Sequence, residues 1–204
     1  MHPATSSPPL KPPAAGRLVV LSGPSGVGKG TILALVRRRH PELYLSVSAT
    51  TRAPRTGEVD GRDYYFLTQA AFEQLIAENA LLEWACYVGN YYGTPAAPVL
   101  AALAAGRSVV LEIEVQGALQ VKNNYPAAML VFVLPPSLAV LAARLRARGT
   151  DAPELIERRL ERAAEELALV GHFDYRVLND DLERAVEQVE RLLFEEPLHD
   201  PTGC

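Results

Sequence analysis

The stretch Gly23-Pro24-Ser25-Gly26-Val27-Gly28-Lys29-Gly30-Thr31 has the residue types and spacing of a phosphate cradle. Successive backbone N–H groups must curl inward to bind phosphate oxygens, and closely spaced glycines permit that curl. Lys29 adds a compact, mobile cation for the outer phosphates. Only Lys11, Lys29 and Lys122 interrupt an otherwise arginine-based cationic set, so a point charge is retained at this site. The commonest phosphate-loop pattern has Ser or Thr after the lysine. Here that position is Gly30, and the hydroxyl follows at Thr31. A tight strand-to-helix turn with a surface lysine is the alternative reading.

Other groups of residues could complete the chemistry. Glu112 and Glu114 lie two apart on an otherwise apolar run, a spacing that puts both on one strand face. Two carboxylates in a central strand are costly unless they meet a partner or a ligand. A structural ion pair is the competing explanation. Thr50-Thr51-Arg52-Ala53-Pro54-Arg55 sets two guanidinium forks in a proline-stiffened loop, suited to phosphate or simply solvated. Gly89-Asn90-Tyr91-Tyr92-Gly93-Thr94 offers phenols and a hydroxyl in a glycine-flanked turn. Arg144, Arg146, Arg148, Arg158, Arg159 and Arg162 flank a break at Gly149-Thr150. Most belong to solvated helix faces, but Arg148 and Arg159 could close on a phosphate opposite Lys29.

Positioning these groups requires alternating strands and helices. Leu18-Val19-Val20-Leu21 enters the glycine loop, and Ile32, Leu33, Leu35 and Val36 form an apolar helical face after it. Residues 109–115, 129–134 and 175–178 read as buried strands. Helical patterns cover about 95–105, 117–123, 137–148, 153–170 and 181–195, with Asn179-Asp180-Asp181 as a helix N-cap. Alternation of this kind predicts a parallel sheet covered on both faces. Residues 44–94 are richer in Tyr, Thr, Ser, Arg and Gly. Short alternating runs such as 45–48 and 64–66 predict a small mixed or antiparallel insertion.

The 204 residues are 49% hydrophobic and carry a net charge of −4, enough for one globular domain with inserted subdomains. A pI near 5.6 gives no general surface for nucleic acid or membrane, so anion recognition must be local. No apolar run approaches spanning length. Cys86 and Cys204 are expected to be free thiols in a reducing cytoplasm. Residues 1–16 are proline-rich without a signal-peptide core and are expected to be a disordered tail, and 197–204 form a C-terminal tail.

Several segments together resemble the guanylate kinase family. They are Gly23 to Thr31, Ser48 to Glu58, Gly61 to Tyr64, Glu83-Trp84-Ala85, Gly89 to Thr94, Leu111 to Gly117, Arg148-Gly149-Thr150 and Asn179-Asp180-Asp181. The resemblance runs from about Leu18 to Phe194 and implies an α/β fold, a three-layer P-loop kinase core with a parallel sheet. It further implies a mixed-sheet GMP-binding insertion at about 46–96 and a helical lid at about 137–165, within a domain spanning 17–196. By resemblance, Ser48, Glu83, Thr94 and Glu112 read guanine, while Arg52, Arg55, Tyr64 and Tyr92 hold the GMP phosphate. Gly23, Pro24, Ser25, Gly26, Val27, Gly28, Lys29, Gly30 and Thr31 hold ATP phosphates, with Asn179 near the ATP base. Lys29, Arg52, Arg148 and Arg159 form the catalytic set. Mg²⁺ accompanies ATP, held mainly by nucleotide phosphates and water, and Glu114 stands where the family more often has Asp. The implied activity is ATP-dependent phosphorylation of GMP and dGMP in purine nucleotide metabolism. The expected partners are ATP and GMP, without nucleic acid or membrane, and a homo-oligomer is compatible with this reading. An inactive phosphopeptide-binding relative would keep the Arg52, Arg55 and Tyr64 cup but lose the glycine loop, which is intact here.

Overall fold

A computed structural model describes residues 16–147, 149 and 152–195. The N-terminal tail before Gly16, the C-terminal tail, Cys204 and Arg148 lie outside the described residues. Five strands form an all-parallel sheet. They are β1 (Leu18–Ser22), β2 (Tyr44–Leu45), β7 (Val109–Glu112), β8 (Met129–Leu134) and β9 (Tyr175–Leu178), in the order β2-β7-β1-β8-β9. The intervening strands β3 (Ala49–Thr50), β4 (Tyr65–Phe66), β5 (Leu81–Tyr87) and β6 (Asn90–Pro95) form a separate sheet, ordered β4-β3-β6-β5. That second sheet is mixed. β3 runs parallel to β4, and the β3/β6 and β5/β6 pairs are antiparallel.

The central strands β1, β7 and β8 are apolar on both faces because both are covered, whereas edge strand β9, expected to be buried, buries only Val177. Val19 and Leu21 of β1 point to one side. There they meet Ile32, Leu33 and Val36 of α1 (Lys29–Arg39), Leu141 and Leu145 of α5 (Leu138–Ala147), and Val186 and Val189 of α7 (Leu182–Phe194). Helix α6 (Pro153–Ala168) joins this layer through Ile156 and Ala163. Leu18 and Val20 point the other way, onto Val99 of α3 (Ala96–Ala104) and Val115, Ala118 and Val121 of α4 (Val115–Asn124). The second sheet has a small core of Ala49, Phe72 and Leu81, closed by α2 (Gln69–Ala77), whose N-cap Thr68 accepts from the Ala71 amide.

Several expected boundaries change. The strand predicted over 109–115 stops at Glu112, so Glu112 and Glu114 do not share a strand face. Its partner β1 reaches Leu21 opposite Glu112 and then turns into the glycine loop, which removes the ladder beyond that point. Glu114 instead becomes the N-cap residue of α4, which starts two residues before the expected 117. Within 45–48 only Leu45 is in a strand, and it pairs with β7 in the core sheet rather than in the insertion. Helix α2 and strand β5 were not apparent in the sequence pattern.

Candidate active site

The glycine loop lies between β1 and α1, at the carboxyl ends of the core strands, where open α/β sheets bind ligands. Gly28 has φ of 106°, a left-handed conformation that L side chains rarely adopt. A Cβ there would also lie 2.5 Å from Asn179 Nδ2. The close approach is functional for the fold, since Asn179 Nδ2 donates to the Val27 carbonyl at 2.7 Å. Arg144 donates to the same carbonyl at 3.1 Å and to the Asn179 carbonyl at 2.9 Å. Arg144, expected among the solvated helix-face arginines, instead braces the loop from behind. Arg144, Asn179, Gly26, Gly28 and Thr31 line a cavity of about 470 Å³ on the outer side of the loop.

On the inner side, Lys29 Nζ donates to the carbonyls of Gly23 and Pro24. Lys29, Gly23 and Ser25 form one wall of a second cavity, about 510 Å³. Arg158, Arg159 and Arg162 of α6 also line it. Arg159 and Lys29 thus line the same cavity. Helix α6 places these three arginines on one side by its i, i+3 and i, i+4 spacing.

A third cavity, about 320 Å³, lies between the two sheets. Ser48, Tyr64, Glu83, Tyr92 and Glu112 all line it, and Glu114 lines both this cavity and the one facing Lys29. Glu83 is the buried carboxylate of the group, 7% exposed, and accepts from Thr94 Oγ1 at 2.7 Å. Its neighbour Trp84 is 39% exposed. The alternation of β5 thus turns the carboxylate inward and leaves the indole at the surface. Burial pushes the Glu83 carboxyl above the ordinary glutamate range, against the stabilising Thr94 hydrogen bond, and the charge of Glu114 adds to the rise. Glu112 is also raised. Its surface is open to solvent, but the cleft walls crowd it, and only the nearby Lys29 charge opposes the shift.

Arg52 stands 5.5 Å from the Tyr64 ring centroid, and Tyr64 meets Tyr92 edge-on at 6.3 Å. Glu58, absent from the expected site, grips Arg52 through two hydrogen bonds of 2.9 and 3.0 Å and accepts from the Arg55 amide at 2.6 Å. The Arg52 guanidinium holds Glu58 below the usual carboxylate range. One carboxylate thereby sets the position of both arginine residues in the loop. The Arg55 residue itself is exposed. The signal for Glu58 was its spacing, three after Arg55 and six after Arg52, in a turn closed by Gly57.

No group of three or more His, Cys, Asp or Glu side chains with metal-ligand geometry occurs among the described residues. Glu112 stands beside the loop, its carboxylate oxygens 3.7 and 3.8 Å from where a Gly30 Cβ would stand. One hard oxygen donor beside a phosphate loop fits Mg²⁺ held largely by phosphates and water.

A glycine loop leading into a helix on a parallel sheet, with a second sheet closing an acidic pocket beside it, defines a phosphate-loop α/β protein of the nucleotide kinase type. The guanylate kinase family model matches residues 15–196. A guanylate kinase of Gloeobacter violaceus is 73% identical over 187 residues, covering 92% of this chain and 91% of that protein. One from Synechocystis is 54% identical over 181 residues, 89% of this chain and 95% of that one. The crystal structure of guanylate kinase from Anaplasma phagocytophilum superposes with a TM-score of 0.69 at 30% identity, covering 88% of this chain and 85% of that chain. The chain belongs to the guanylate kinase family.

Proposed function

We propose that this chain transfers the γ-phosphoryl group of ATP to GMP, and to dGMP, giving ADP and the guanosine diphosphate. The observation that carries the acceptor assignment is the buried carboxylate of Glu83, which lines the cavity between the sheets and is held from behind by Thr94 Oγ1. Guanine presents N1–H and its 2-amino group as adjacent donors, which an ionised Glu83 accepts together. Glu112 reinforces the amino contact, and Ser48 donates to O6, the single Thr94 hydroxyl proton being engaged by Glu83. Adenine reverses this edge, setting a lone pair against the carboxylate.

Phosphoryl transfer through a loose transition state needs positioning and charge stabilisation more than covalent help. The loop from Gly23 to Thr31 holds the ATP phosphates, and Asn179 and Arg144 keep its backbone in place beside the donor base. Lys29, Arg159 and Arg148 supply positive potential around the moving group. Arg52, Arg55, Tyr64 and Tyr92 hold the acceptor phosphate. That phosphate is already an anionic nucleophile, so no general base is required. Glu112, whose carboxylate stands beside Gly30, would lie near an Mg²⁺ ion held by the ATP phosphates and water, which would supply neutralisation of phosphate charge. Segments 46–96 and 137–165 serve as acceptor-binding insertion and lid. Their closure excludes water and suppresses ATP hydrolysis.

A coupled assay of ADP formation with GMP, dGMP, AMP, CMP and UMP tests the assignment. Sites built on hydrogen bonds reject analogues with the wrong edge by roughly 10⁴–10⁵ in specificity constant. Glu83→Gln is expected to shrink the GMP/AMP ratio mainly by losing GMP activity, and an unchanged ratio refutes the role. In the same assay Lys29→Ala is expected to lose on the order of 10²–10³ in turnover, with its circular dichroism unchanged.

A further inference from the structure

We infer that Arg162 is a positioning residue that ties helix α6 to the acceptor side of the cleft through Glu114, holding Arg158 and Arg159 in the cavity that Lys29 also lines. The inference rests on the kinase reading above and adds a residue to it. Arg162 NH2 donates to Glu114 Oε2 at 2.6 Å, and its Nε donates to Glu166 Oε1 at 3.2 Å. Glu166 lies one turn along the same helix and orders the guanidinium before it reaches out. Glu114 belongs to a different layer, as N-cap residue of α4, and lines both the acceptor cavity and the cavity facing Lys29. The pair thus spans from the arginine-bearing helix to the place where the two substrates meet.

Helix α6 has need of such a tie. Of its 16 residues only Ile156 and Ala163 are buried, with Leu160 and Leu167 partly buried against the core, so few apolar contacts fix its position. Arg162 also shares its single charge between two carboxylates, which leaves it poorly suited to bind a phosphate directly. The side chains of Arg162 and Glu114 are 46% and 71% exposed. A pair this open has modest strength, and its loss is expected to cost up to about fivefold in rate. A group contacting the transferred phosphoryl would instead cost roughly 10³–10⁵.

Turnover of GMP and ATP by the full chain, measured for wild type, Arg162→Gln, Arg162→Lys, Glu114→Gln and the Arg162→Gln/Glu114→Gln double variant, tests this. Arg162→Gln is expected to lower kcat/KM by about two- to fivefold, with Arg162→Lys between it and wild type. The ratio of wild type to Arg162→Gln should fall toward one as salt rises from about 50 to 500 mM, because screening removes an exposed pair. Arg162→Gln should have no further effect in the Glu114→Gln background. Unchanged turnover in Arg162→Gln, a loss near 10³-fold, a salt-independent ratio, or losses that multiply in the double variant each overturn the tie. If wild type itself forms no GDP from GMP, the kinase reading fails, and with it the inference. If wild type is active and Arg162→Gln behaves in any of those ways, only the inference fails.

Discussion

At Glu83, burial costs stability while supplying recognition. Its carboxyl has a raised folded-state pKa, with desolvation as the main cause. The sign follows from linkage. Between the ordinary glutamate pKa and the raised folded value, the native state binds more protons than the unfolded chain, so stability falls as pH rises through that window. Glu83→Gln removes the titrating group. The variant is therefore expected to be more stable than wild type at neutral pH, with the advantage narrowing as pH falls toward the ordinary glutamate range. Thermal melts of both proteins from pH 4 to 8 check this; a constant offset across the series contradicts it. The importance of Glu83 was legible only through family resemblance. A Glu-Trp dipeptide permits either side chain to be the buried one, and only the β5/β6 pairing decides between them. Lys29 is different, because its neighbours Gly26, Gly28 and Gly30 announce the loop by themselves. Glu58 was missed because its task is to hold arginines, and a carboxylate in a turn has the same appearance in sequence whether or not it grips a neighbour.

Among the elements, α4 shows how closely backbone and site are fitted. An ideal Cβ on Gly117 would lie 2.9 Å from Glu83 Oε2. Gly117 stands in the first turn of α4, where alanine is favoured over glycine by up to about 1 kcal/mol, so Gly117→Ala gains helix propensity while pushing the buried carboxylate aside. The expected result is a melting temperature equal to or above wild type. The GMP KM should rise on the order of 10- to 100-fold, the effect of an ångström-scale misplacement, with little change in the ATP KM. Unchanged GMP kinetics would show that Glu83 moves without consequence. The core elements were legible because apolar runs such as Met129–Leu134 are bounded by Pro135-Pro136 and match the observed strand. Strand β5 was not legible. Its Leu81-Leu82 start is apolar on both faces, and the next four residues from Trp84 are exposed, so no alternation of period two survives. The end of β7 depends on where its neighbour leaves the sheet, which no local pattern encodes.

For the molecule as a whole, stability is unevenly divided. The parallel sheet is packed on both faces by helices, whereas the insertion sheet rests on Ala49, Phe72 and Leu81 with a few partly buried neighbours. Units with few buried apolar contacts open first. Amides of β5 and β6 are expected to exchange with solvent through openings of lower free energy than those of β1 and β8, and to be slowed selectively by GMP. Hydrogen exchange followed by mass spectrometry, with and without GMP, checks this. Equal protection of the two sheets would mean that they open as one unit. The α/β architecture was visible in the sequence because each core element carries its own period. The separation of the two sheets was not, because it depends on pairings between residues distant along the chain.

The brace on the phosphate loop has a consequence for how the chain is made. The Val27 carbonyl is held by Arg144 and Asn179, which lie 117 and 152 positions later. Both sheet neighbours of β1 also follow it by many residues. At about 5–20 residues per second, a ribosome delivers Asn179 roughly eight to thirty seconds after the glycines. During that interval Leu18-Val19-Val20-Leu21 has emerged without β7, β8 or its brace. The nascent chain thus presents an apolar segment to chaperones before it can form a stable seat for a nucleotide, and nucleotide capture becomes one of the last events of biogenesis.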